Sequence, residues 1–262
     1  MKLLKVGWLV GLLVGLLIGG VVWADSAELG TFEVATQLYE NGNYGAAAAL
    51  FEQLVEQGYE DADLLHNLAS AKHKQGNYGE AILYYRRALQ IAPRNRDTRA
   101  NLELAREHVT DQFQRSDVGL FETLTQLSNW LTLTEVTVIA LLLWFALAIV
   151  WYRYRHPKSE REHTAMQSAL IILAISFLLL VVAGGTRYRK NQVRPDAVVI
   201  VDEVAVLDTL GGKSELFTLH DGAEVEIVEK KGNWVKLTLP GDALQGWISA
   251  EAIGFVNSTH TR

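Results

Sequence analysis

His66 and His73 are seven residues apart on a segment of helical periodicity, the first place in this chain where side chains could hold a metal. A transition metal needs ligands that converge at about 2 Å, held by a second layer of hydrogen bonds. Two imidazoles seven positions apart are too far separated for that. The run Glu160-Arg161-Glu162-His163 groups carboxylates with an imidazole, but it lies in a charged turn between two apolar stretches, where hydration and orientation account for it. Gly19-Gly20 and Gly184-Gly185 are not followed by Lys-Ser or Lys-Thr, so neither is a phosphate-cradling loop. No nucleophile stands beside a base and no two carboxylates form a paired site. The chain has no cysteine, which excludes disulfides, thiolate catalysis and zinc–thiolate sites. The expectation is a protein that is not an enzyme and has no cofactor and no metal. Trp234 and Trp247 could be ligand platforms, but a small β domain without disulfides needs large side chains in its core, and that role is expected of them.

With no catalytic constellation to position, the elements themselves carry the reading. Two long apolar stretches lie within 131–186, uncharged from Val136 to Tyr152 and from Thr164 to Thr186. About 20 such residues cross a hydrocarbon core of roughly 30 Å. Trp130, Trp151, Tyr152 and Tyr188 fall at their ends, where amphipathic rings favour the headgroup level. The loop 153–163 carries Arg153, Arg155, Lys158 and Arg161, which predicts a hairpin with a cytoplasmic turn and both outer ends on the opposite face. Arg187, Arg189, Lys190 and Arg194 come after the second span and oppose that orientation. Residues 1–24 decide it: Lys2 and Lys5 precede an apolar run that ends in small residues, the form of a signal peptide or a retained anchor, so the domain beginning at residue 28 is exported.

The 262 residues leave room for two small domains outside the membrane stretch, and the net charge of −6 argues against nucleic-acid binding, which needs an excess of Lys and Arg. Over 28–110 the sequence repeats. GNYG at Gly42–Gly45 recurs at Gly76–Gly79, a period of 34, with Ala47 matching Ala81, Phe51 matching Tyr85, Leu54 matching Ala88, and Pro93 closing the second copy. Asn101 and Leu102 continue the period from Asn67 and Leu68, which predicts one further helix as a cap. This pattern resembles the tetratricopeptide repeat, a helix–turn–helix unit. The resemblance implies a partner-binding groove lined by the first helices: Phe32, Thr36 and Tyr39 from one repeat, and His66, Ser70, His73 and Lys74 from the next. Phe32 and Thr36 depart from the basic and asparagine residues of the carboxylate-clamp subgroup.

Residues 111–130 are read as a linker with helical spacing at Leu120, Phe121, Leu124 and Leu127, either an interfacial helix or an extension of the first span. From 195 to 256, short β-branched runs alternate with Gly- and Asp-containing turns, which predicts five or six strands in a small barrel. Residues 220–248 resemble bacterial SH3-type domains, although VAVLDTLGG stands where wall-binding members carry their Asn-Val-Arg-Ser-Gly-Pro type run. Residues 257–262 read as a disordered tail.

The expected fold is a multidomain membrane protein. An all-α solenoid of two repeats plus a capping helix is succeeded by a transmembrane helical hairpin and a small all-β SH3-like barrel. That order resembles the BatE-type tetratricopeptide proteins of aerotolerance operons. The resemblance implies a non-enzymatic scaffold on the extracytoplasmic side of the inner membrane, partnered by von Willebrand A-type membrane proteins and a MoxR-type ATPase system. The alternative is a sensor that grips peptidoglycan through the barrel. A transporter subunit is a further reading, but Glu135, Gln167 and Ser176 are the only polar groups the hairpin offers it.

Overall fold

The computed structural model describes residues 26–111, 113, 131–193, 196–239 and 244–257. The leader 1–24, nearly all of the 111–130 linker and the tail beyond Asn257 lie outside the described residues.

The 34-residue period builds two helical hairpins, α1 (Ser26–Glu40) with α2 (Tyr44–Glu56) and α3 (Ala62–Gln75) with α4 (Tyr78–Ile91). A fifth helix, α5 (Arg96–Arg106), opens a third unit. Ala35, Ala47, Ala69 and Ala81 are fully buried, because only a methyl group lets neighbouring helices approach so closely. Phe51 and Leu54 fill the first hairpin and Tyr85 and Ala88 the second, at matching positions of the repeat. The helix starts are capped: the Asn43 side chain accepts from Ala46 N, and Asp61 accepts from Asp63 N and Leu64 N at 2.8 and 2.9 Å. Gly76, at φ +84°, ends α3 in the left-handed conformation that favours glycine. Lys72 is buried and its ammonium bridges Glu52 at 2.6 Å and Glu80 at 2.8 Å, tying α3 to the helices on either side.

The apolar stretches form α6 (Leu133–Arg155) and α7 (Glu160–Val193), packed as a hairpin. Neither span is buried within the protein, so the apolar side chains of both face outward. Thr132 and Glu135 cap the start of α6 reciprocally: Thr132 Oγ1 accepts from Glu135 N at 3.1 Å and Glu135 Oε2 accepts from Thr132 N at 2.8 Å. The connection is shorter than the expected 153–163, because both helices run into it. Arg153 pairs with Glu162, the Lys158 N–H donates to Glu162 at 2.9 Å, and Tyr154 stacks on His163 at 4.6 Å. The second helix also passes its expected end at 186. Its 34 residues extend about 51 Å, well beyond a hydrocarbon core of roughly 30 Å.

The C-terminal domain is one antiparallel sheet of seven strands: β1 (Asp196–Val199), β2 (Glu203–Leu207), β3 (Glu215–His220), β4 (Glu224–Lys231), β5 (Trp234–Thr238), β6 (Gln245–Ser249) and β7 (Ile253–Phe255). Their order is β3-β2-β6-β5-β4-β1-β7. The seventh strand, beyond the five or six expected, arises because Ala250–Ala252 makes a 3₁₀ turn that breaks GWISAEAI in two. Val206, Leu219, Val225, Ile227, Val235, Leu237 and Ile248 pack with Phe255 as the core. Trp247 is buried, as expected of it, whereas Trp234 is only half-buried, and neither joins the central cluster. Side chains alternate across a strand, and Val235, Leu237 and Ile248 point to the core, so Trp234 and Trp247 point away. Lys236 pairs with Trp247 in register and shares that outer face. Trp247 is buried under Lys231, whose ammonium lies 5.5 Å from its ring, and Trp234 is half-buried.

The repeats and the sheet share a core. Ile82 and Leu83 of α4 and Leu102 and Ala105 of α5 pack with Val198 of β1 and with Val256. Around this cluster Arg86 pairs with Asp196 and, at 2.8 Å, with Glu224, while Arg106 Nε meets Glu224 at 2.6 Å. Arg87 Nη2 donates to the Phe255 carbonyl at 2.7 Å, and Asp111 accepts from His220 N at 2.7 Å. The sheet therefore lies against α4 and α5, where the second helix of a third unit would pack. Because the hairpin lies between the two domains in sequence, their contact requires that it bring the chain back to the side it left.

Candidate partner-binding face

The first helices of the three units, α1, α3 and α5, neighbour one another, with contacts from α1 to α3 and from α3 to α5. All seven groove residues expected from the sequence stand on α1 and α3, and several have structural duties. Phe32 packs on Phe51 at 5.6 Å between ring centres. Thr36 Oγ1 donates to the Phe32 carbonyl at 2.9 Å, and Tyr39 meets Tyr44 edge-on at 5.2 Å. Burial raises the Tyr39 pKa, with Tyr44 adding to it, so the phenol stays neutral and able to donate.

The second repeat contributes a satisfied polar floor. Ser70 is buried and bonded to the Tyr85 hydroxyl at 3.0 Å, and Asn101 also hydrogen-bonds that hydroxyl. His66 Nδ1 meets Thr98 Oγ1 at 2.8 Å, joining α3 to α5. His66 and His73 lie apart, as their spacing predicts, and each has a different aromatic neighbour. His66 packs on Tyr85 at 5.6 Å; His73 packs on Tyr78 at 5.5 Å and on His108 at 5.8 Å. Tyr78 and His108 stack at 4.5 Å. Lys74 is exposed beside them, while Phe32, Thr36, Tyr39, His66 and His73 are half-buried.

The charge on this face is uneven. Burial lowers the His66 pKa most, and Asp63 and Asp97 act against that shift. Burial also lowers the His73 pKa, but there His108 and Lys74 add to it. Asp63 thus stands at one end of α3 and Lys74 at the other. Asp97, Asn101 and His108 were not among the expected groove residues, yet they fall 34 positions after Asp63, Asn67 and Lys74. Extending the period into the capping helix finds them.

The start of α4 shows what the repeat pattern conceals. Asn77 occupies the place of Asn43 but makes no side-chain cap. Asp221, from the turn between β3 and β4, accepts from Gly79 N at 2.8 Å instead. Gly222 comes next at φ +85°, where a β-carbon would stand 2.2 Å from Val109 Cγ1. Burial raises the Asp221 pKa against the hydrogen bond from Gly79, and Asp202 and Glu80 raise it further.

Residues 34–96 match the family model of the tetratricopeptide repeat, so the chain carries a tetratricopeptide repeat region. No curated protein matches the chain. The repeat region suggests protein–protein interaction, and the two long apolar helices are candidate membrane spans.

Proposed function

We propose that this protein is a non-enzymatic, membrane-anchored scaffold whose repeat region binds a partner protein through the face of α1, α3 and α5. One observation carries the proposal: the sheet domain covers α4 and the end of α5 and leaves the face of α1, α3 and α5 uncovered. The hairpin α6–α7 anchors the scaffold in the inner membrane. The basic leader residues and the basic turn between the spans favour placing both domains on the extracytoplasmic side. The sheet is read as an SH3-type domain, on the resemblance of residues 220–248. The domain order fits a BatE-like role in an envelope complex with von Willebrand A-type membrane proteins and a MoxR-type ATPase system.

A photoreactive residue in place of Tyr39, with a second at exposed Gln53 on α2 as control, tests the reading in intact cells. A discrete partner captured from position 39 and not from the control supports it; equal capture at both positions rejects it. The half-buried Trp234 favours a second reading, in which the sheet grips the cell wall. Retention on purified peptidoglycan that is lost with Trp234→Ala would favour that alternative.

A further inference from the structure

The charges on the first-helix face are sorted. Asp63 and Asp97 occupy the first turns of α3 and α5, and both act on His66. His73 and Lys74 occupy the last turn of α3, and His108 reaches the same place from just beyond α5, 5.8 Å from His73 between ring centres. His108 Nδ1 donates to the Leu104 carbonyl at 2.9 Å, which fixes the tautomer of the neutral ring and leaves Nε2 free of that bond. Between the two poles lies the neutral, internally bonded floor of Ser70, Tyr85 and Asn101.

We infer that this face recognises an extended protein segment by charge polarity, placing a basic side chain against Asp63 and Asp97 and an acidic group against Lys74, beside His73 and His108. The inference rests on the scaffold reading and names the chemistry of its partner. Asp63 and Lys74 mark the two poles; eleven residues apart on a helix, they are separated by about 16 Å. An extended segment advances about 3.3 Å per residue, so the recognised charges stand about five residues apart. A segment with the two charges exchanged would meet like charge at both ends, which is how charged surfaces reject a wrong partner. The same charges also complement the dipoles of α3 and α5. That role concerns stability and has no bearing on which peptides bind.

Selection separates the two roles. The full chain in phosphatidylcholine nanodiscs is panned against a displayed library of random dodecapeptides, and binders are photocrosslinked from position 39. Binders are expected to carry a basic and an acidic residue about five apart, enriched about five-fold over the same residues in shuffled positions. Asp63→Asn with Asp97→Asn should abolish the basic preference and keep the acidic one; Lys74→Gln with His108→Gln should do the reverse. Binders that crosslink from position 39 without the charge pair overturn the inference and leave the scaffold reading standing. A charge pair that persists unchanged in both variants also overturns it. If no library peptide crosslinks from position 39, both readings fall.

Discussion

Glu224 is the strongest test of the union between repeats and sheet, because it meets Arg86 of α4 and Arg106 of α5 from the start of β4. The Glu224→Ala substitution removes the acceptor for both guanidinium groups. At about 4 Å and an effective dielectric near 20, a pair of unit charges is worth about 4 kcal/mol before desolvation. Removing one partner of a fully buried pair costs about 3–5 kcal/mol. Here the side chains of Arg86, Arg106 and Glu224 keep 14%, 33% and 25% of their exposure, and Arg86 retains Asp196 while Arg106 retains Glu103. Screening and these remaining partners reduce the expected loss to about 2 kcal/mol, roughly a thirty-fold shift in the opening equilibrium of the junction. Hydrogen exchange on the full chain in nanodiscs reads that shift. Amides of both α4 and β1 should exchange about thirty-fold faster while α1 and α2 keep their rates. Unchanged exchange at the junction, or acceleration confined to the sheet, would refute the claim that the two domains are held as one body.

The same contacts set three further outcomes. Lys72→Ala leaves Glu52 and Glu80 facing each other without a cation and should cost about 3 kcal/mol in urea unfolding, whereas Lys72→Met, which keeps the packing, should cost less. The raised Asp221 pKa means the folded state holds its proton more tightly than the unfolded chain. Its contribution to stability is therefore greatest below the ordinary aspartate range and is lost as pH rises through the raised value. Asp221→Asn should remove that part of the pH profile while keeping the acceptor for Gly79, and Asp221→Ala should lose the cap as well, at about 1 kcal/mol; a pH profile identical in wild type and Asp221→Asn would contradict this. Reporters fused after Thr110 and after Val256 should report the same compartment, because Ile82 and Val198 share a core; opposite compartments would break the proposed topology.

The helices and strands were legible because each obeys a local rule. Alanine, glycine and asparagine recur every 34 residues in the repeats, uncharged stretches mark the spans, and AEVEIVE alternates as β4 does. The union of the two domains was not legible. Arg86, Arg106, Asp196 and Glu224 carry no local mark of their pairing, since nothing in the sequence distinguishes an arginine bound for a distant carboxylate from one bound for water. Trp234 misled because size argues for the core, whereas register decides which face a strand residue takes. Asn43 and Asn77 occupy identical places in GNYG, yet one caps its own helix and the other does not, a difference set by a turn 142 residues away. The residues proposed to line the face on α3 come from the repeat pattern, but their charge neighbours needed the third unit, with Asp97 on the capping helix and His108 just beyond it.

The unbroken length of α7 has a mechanical consequence. From Val182, where the apolar window closes, to Val193 the helix rises about 16 Å further, and the first strand begins at Asp196. A rod of this kind transmits torque that a slack tether would dissipate. With two residues between the end of α7 and β1, an axial displacement of that helix end must move β1, and through the core shared by Val198 and Ile82 the repeats with it.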